Sequence, residues 1–163
     1  MNDWNYGDAY LRYPIQNGIA VFDDRSMLKT HDLFNPLPEF MKQADIIFTD
    51  PPWNQGNMTS FYTKADLPRP NKTYEMLYKR LFECIGEISP RICYIEIGKQ
   101  YLADIIMMMR KQYKYVTFYN STYYHKTTNL CYIVRGSEIA HRPSYDGMDE
   151  ADIIAAICRD EQY

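Results

Sequence analysis

Two unbroken apolar runs, "DIIFT" at 45–49 and "RICYIEIG" at 91–98, flank the amphipathic stretch "TYEMLYKRLFECIGEIS" at 73–89. A continuous apolar run bounded by turn residues reads as a strand covered on both faces. In the stretch between, Met76, Leu77, Leu81, Cys84, Ile85 and Ile88 recur at a helical period. Thr73 stands where that helix needs an N-cap. Strand, helix and strand in this order predict a βαβ unit with parallel strands, and the remaining elements must join that sheet.

The rest of the chain continues the alternation. "KQYLADIIMMMRKQ" at 99–112 predicts a second helix, and its methionine run reads as core packing. "YVTFYNSTYY" at 115–124 and "LCYIVRG" at 130–136 predict two strands with a short polar connection. Such a pair is expected to be antiparallel and to lie at one edge of the sheet. "MDEADIIAAICRDE" at 148–161 predicts a third helix. Upstream, "GIAVF" at 18–22 and "SMLKTHDLF" at 26–34 read as short strands, and 35–43 as a loop with a short helix. The expected fold is α/β, with a mostly parallel sheet, an antiparallel edge pair, and the strand 45–49 at its centre. The 163 residues make one domain, with 1–25 as an N-terminal extension and 54–72 as a long polar loop.

Composition narrows the function classes. No apolar run approaches the roughly 18 residues that span a bilayer. The start "MNDWNYGDAY" lacks the basic and apolar regions of a secretion signal, so a cytoplasmic location and no membrane partner are expected. The four cysteines are dispersed in apolar contexts and read as reduced core thiols. His31, His125 and His141 have no metal-ligand spacing. A net charge of −3 argues against a basic surface over the whole molecule and leaves room for a local one. The 16 tyrosines suit both core packing and base stacking.

The run 45–49 ends on Asp-Pro-Pro-Trp. In α/β sheets, ligands sit at the carboxyl ends of strands, so Asp50 marks the expected site, opening onto a cleft. The exocyclic amine of adenine or cytosine is a poor nucleophile because its lone pair is delocalised into the ring. Asp50 can accept one N–H of such an amine and the Pro51 carbonyl the other, which favours a pyramidal nitrogen. Proline fixes φ and has no N–H to compete, so Pro51 and Pro52 make a rigid holder. Trp53 offers a face for an extracted base. In the following loop Asn54, Tyr62, Lys64, Arg69 and Lys72 mix polar, basic and aromatic groups. They read either as a lid over a flipped nucleotide or as a surface loop. Glu96, near another strand end, is a further candidate for the cleft.

These residues carry a resemblance. "DPPW" at 50–53 resembles the catalytic motif of S-adenosylmethionine-dependent amino methyltransferases acting on adenine N6 or cytosine N4. The N6-adenine branch is the most similar; it includes phage and bacterial DNA enzymes and eukaryotic RNA N6-adenosine methyltransferases. The likeness runs over residues 26 to 136, and "DPPW" is its specific part. It implies a Rossmann-like sheet, S-adenosylmethionine as cofactor and a nucleic-acid substrate, DNA favoured over RNA. Asp50, Pro51, Pro52 and Trp53 would be catalytic. "HDLF" at 31–34 falls where the family often places a strand end near the cofactor's adenine, which implies Asp32 and Leu33, together with Asp50, as cofactor-binding residues. Lys126 falls where a cation can meet the cofactor carboxylate. Tyr119, Asn120 and Tyr123 fall on the strand that packs beside the target base.

The chain departs from the family in one respect. The Gly-rich segment that holds the methionine and ribose parts of the cofactor has no counterpart. In one circularly ordered subgroup that strand follows the catalytic half, after a helix resembling "DEADIIAAICRDE". The expectation is a split or truncated half, or a subunit without its own cofactor site. A homo- or hetero-oligomeric partner, or a complementary cofactor-binding segment, would complete it. Two other readings stay open: a catalytically incomplete subunit that binds nucleic acid or activates a partner, and an unrelated α/β protein with a chance turn.

Overall fold

The computed structural model describes residues 19–21, 26–64, 68, 71–122, 130–140 and 153–155. The chain divides into two units, Met1–Pro36 and Leu37–Tyr163. In the first, β1 (Ile19–Val21) pairs antiparallel with β2 (Met27–Lys29). A turn follows. Asp32 Oδ1 accepts the Phe34 N–H at 3.0 Å, and the Asp32 carbonyl accepts the Asn35 N–H at 2.9 Å. An Asp that bonds the backbone two residues on is a common turn former.

The second unit is built on a five-stranded sheet. Its strands are β3 (Ile46–Thr49), β4 (Ile92–Gly98), β5 (Tyr115–Thr122), β6 (Leu130–Ser137) and β7 (Ile153–Ala155). Their spatial order is β3-β4-β6-β5-β7. The pairs β3–β4 and β5–β7 are parallel; β4–β6 and β5–β6 are antiparallel. Four strands therefore point one way and β6 alone runs against them. The helices are α1 (Gln55–Lys64), α2 (Tyr74–Ile88) and α3 (Leu102–Met109), with 3-10 turns at Glu39–Gln43 and Lys99–Tyr101.

The βαβ unit forms as its periodicity requires. Thr73 is extended, and its side chain accepts the Met76 N–H at 3.3 Å, capping α2. Tyr78, Leu81, Phe82, Cys84 and Ile85 form its buried stripe. The helix ends on Ser89 in the left-handed region, φ 52°, with its N–H on the Ile85 carbonyl. One face of the sheet carries Cys93, Ile95, Ile97 and Val134, all fully buried. Helix α3 closes that face: a Cβ on Gly136 would lie 2.4 Å from Tyr113 Cδ2 and 2.9 Å from Met109 Sδ. Gly136 is thus the point where the segment after α3 touches backbone. Gln112 Nε2, just beyond α3, donates to the Phe82 carbonyl at 2.7 Å and ties the two helices together.

Five expectations need correction. The pairings are two parallel and two antiparallel, so the sheet is mixed rather than mostly parallel. The pair 115–124 with 130–136 is antiparallel, but it is not an edge pair, because β7 lies on the outer side of β5. Strand β3 is not central. Among the described strands it lies at one end of the sheet, with Ile46 56% and Phe48 61% exposed. An apolar run shows that a strand can be covered, but not where in the sheet it pairs. Of the stretch 148–161 only 153–155 are described, and they form β7, paired to β5 through Asn120–Thr122, so no continuous helix runs through it; the rest lies outside the described residues. Two β-branched isoleucines beside an open strand edge favour the ladder over the helical period there. The segment 54–72 is likewise not all loop, since ten of its residues form α1.

Candidate active site

Strand β3 stops because Pro51 and Pro52 have no N–H to continue its ladder. Asp50 therefore leaves the sheet beside the carboxyl end of β4. Thr49 pairs with Ile95, which puts Asp50 level with Glu96. The indole N–H of Trp53 donates to Asp50 Oδ1 at 3.0 Å. The Trp53 ring lies on Gly98, the last residue of β4: a Cβ there would fall 3.0 Å from Cε3 and 3.4 Å from Cβ and Cδ2 of the indole. A larger residue here would press on the ring, which would have to give by a few tenths of an ångström. The buried Tyr78 of α2 donates its hydroxyl to the Pro52 carbonyl at 3.2 Å. The turn 50–53 is thus held from both strands of the βαβ unit and from the helix between them.

The next residues are local structure as much as site. Asn54 Oδ1 accepts the Asn57 N–H at 2.9 Å, the N-cap bond of α1. The Gln55 side chain accepts the Tyr74 N–H at 2.7 Å and joins the starts of α1 and α2. Tyr74 stacks obliquely on Tyr78 and on Tyr101, each at 4.4 Å between ring centres.

Electrostatics single out Asp50. Loss of solvent around it raises its pKa, and the nearby Glu96 carboxylate raises it further, against the lowering by the Trp53 hydrogen bond. Its side chain nonetheless stays exposed enough to meet a ligand. Glu96 is 9% exposed and accepts a hydrogen bond from Cys131 Sγ at 3.3 Å. Burial first, and then Glu96, push the Cys131 thiol up to about 11, so it stays a neutral donor. Asp50, Glu96 and Cys131 form one acidic corner at the end where β3, β4 and β5 finish. No group of three or more His, Cys, Asp or Glu among the described residues could hold a metal.

No protein-family model, curated protein or solved structure matches the chain. The site must be judged on its own geometry.

That geometry gathers some of the residues singled out from the sequence and separates others. Asp50, Pro51, Pro52, Trp53 and Asn54 are contiguous in one turn. Tyr62 and Lys64 lie on α1, two positions apart and so on opposite sides of the helix. Tyr62 shares the face of the buried Met58, while Lys64 is exposed. Lys72 is half-buried just before α2. Tyr119 and Asn120 are consecutive in β5 and face opposite sides of the sheet. Tyr119 pairs with Ile133, which pairs with Glu96, so it lies level with Asp50. Three strand spacings separate them, about 14 Å. Asn120 sits on the face of Tyr132 and Ile97. The two cannot therefore line one side of a base together. Asp32 and Leu33 belong to the first unit and are described there alone. Arg69, Tyr123 and Lys126 lie outside the described residues.

Two supports were not read from the sequence: Tyr78 and Gly98. Tyr78 is not among the apolar positions whose period marks α2, and nothing in the sequence signalled its bond to the turn. Gly98 carried a weak signal, a glycine at a strand end, which often marks a close approach.

Proposed function

We propose that this chain is the catalytic part of a nucleic-acid N6-adenine methyltransferase, with DNA favoured as substrate. The observation that carries the reading is the Asp50–Trp53 turn: a carboxylate held by an indole N–H at the shared carboxyl end of β3 and β4. Asp50 would accept one amine hydrogen through the carboxylate oxygen opposite the Trp53 bond, and the Pro51 carbonyl would accept the other. S-adenosylmethionine would supply the methyl group in line to the amine nitrogen. No strong base is needed before attack, because the methylated ammonium product is acidic. Holding the turn at three points would supply orientation, the larger part of such catalysis. The strand order, a parallel βαβ unit with one reversed strand beyond it, is compatible with part of a Rossmann-like sheet.

The test is methyl transfer from labelled S-adenosylmethionine to adenine in single- and double-stranded oligonucleotides, by the chain alone and with its native partners. Transfer to adenine that Asp50→Ala abolishes supports the reading. Transfer that survives Asp50→Ala removes it.

A second reading is favoured by the edge position of β3. Ile46 and Phe48 expose apolar side chains on a strand with no described partner on its outer side. Such edges invite pairing with another chain. In this reading the chain is a subunit whose cofactor site is completed elsewhere. Calorimetry with S-adenosylmethionine, joined to sedimentation, separates the two. Micromolar binding by a strict monomer removes the second reading. Binding only in an oligomer or complex supports it.

A further inference from the structure

Away from Asp50, a cavity of about 560 Å³ is lined by Arg110, Tyr113, Lys114, Tyr115, Thr117 and Arg135 among others. Arg110, Tyr113 and Lys114 directly precede β5, so the cavity opens where β3, β4 and β5 begin. Asp50 lies where they finish. Among the described residues that line it there is no carboxylate, although the Glu138 charge acts on Tyr113. In a chain with 21 acidic and 18 basic residues, three cations around one hollow are a marked local excess.

Arg135 is the informative member. It is 8% exposed, and its guanidinium donates to the neutral Ser137 Oγ at a long 3.4 Å. Among the described residues no carboxylate pairs with it. A buried charge is costly unless it is paired, and with no counter-charge among the described residues this position suits an anion. The guanidinium fork matches a phosphate better than a point cation does. Arg110 and Lys114 are exposed, and the Lys114 ammonium sits 5.3 Å from the centre of the Tyr115 ring. The volume falls within the range of small-molecule sites and exceeds what a lone anion fills. Room beside the cations, next to an aromatic ring, suits the sugar and base attached to a phosphate.

We propose that this cavity binds the phosphate group of a nucleotide, either free or within a nucleic-acid strand. Arg135 would hold the phosphate from within. Arg110 and Lys114 would meet it, or the neighbouring phosphate, at the rim. The site needs neither S-adenosylmethionine nor Asp50.

The test titrates the full chain with thymidine monophosphate, with thymidine, and with a fluorescein-labelled single-stranded deoxythymidine 12-mer. The proposal expects a phosphate-bearing probe to bind and thymidine to bind at least tenfold more weakly. Preference for the mononucleotide names a free nucleotide as ligand; preference for the 12-mer names a strand. Because Arg135→Gln can fail to fold, the deciding variant is Arg110→Gln with Lys114→Gln, both at exposed positions. It is expected to weaken the phosphate probe at least tenfold. For the 12-mer it should also flatten the salt dependence by about 1.4, at about 0.7 per lost contact. Binding unaltered in the double variant, equal binding of thymidine, or no binding of either phosphate probe overturns the proposal.

Discussion

The indole N–H of Trp53 points back to Asp50 Oδ1 at 3.0 Å, while the indole ring rests on Gly98. A single side chain therefore sets both the direction of the carboxylate and the distance between the turn 50–53 and the end of β4. The carboxylate is oriented before any ligand arrives, and half of Trp53's role is positional.

Asp50→Asn tests the charge without removing the acceptor, since an asparagine oxygen can still take the Trp53 N–H. Partial desolvation and Glu96 raise the Asp50 pKa above its value in the unfolded chain. The folded state therefore binds the proton more tightly. Stability falls as pH rises from the unfolded-state pKa, about 4, through the raised folded value, and is flat above it. Asp50→Asn is expected to melt higher than the parent at pH 7, with the difference vanishing below about pH 4. Methyl transfer, in any assembly where the parent is active, should be lost. Thermal melts across pH measure the first effect. A variant that melts lower at neutral pH contradicts the electrostatic account.

Gly98→Val should displace the indole. The added branches meet a ring that already lies at 3.0 Å from the Cβ position. Overpacking of this kind costs about 1–3 kcal/mol. Trp53 emission should shift and chemical denaturation should move to lower denaturant. Gly98 has φ −74°, so any loss comes from contact with the ring and not from backbone strain.

Tyr78→Phe removes the hydroxyl that reaches the Pro52 carbonyl and keeps the ring between Tyr74 and the core. The loss is expected to be about 1 kcal/mol of stability. Its larger effect should fall on the turn: faster amide exchange at Trp53 and Asn54 than elsewhere in the unit. Exchange that speeds up evenly across the sheet would show that Tyr78 serves global packing alone.

Ser89→Gly should stabilise the unit. Ser89 holds φ 52° at the end of α2, a conformation that costs a side chain about 1 kcal/mol or more and glycine little. A midpoint that rises in urea confirms the strain. No change would mean that the serine side chain offsets it.

The elements whose signal is local were legible in the sequence. Helix α2 follows from the spacing of Leu81, Cys84 and Ile85 and from the Thr73 cap, and β3 and β4 from their apolar runs. The end of β3 at Asp50 follows from two prolines that cannot donate to a ladder. Helix α1 was missed because Met58 is its only buried residue, which leaves no apolar period to read; its trace was the capping residue Asn54. What the tertiary structure alone decided is which strands lie together. The insertion of β6 between β4 and β5 and the edge position of β3 depend on partners far away in the chain. A strand's composition records that it will be covered and not which strand will pair with it. The same non-local pairing sets Tyr119 about 14 Å from Asp50, gathers Arg135 with Arg110 and Lys114, and brings Gly98 under Trp53. Each of those residues was visible as a type; only the register of the sheet gave it a neighbour.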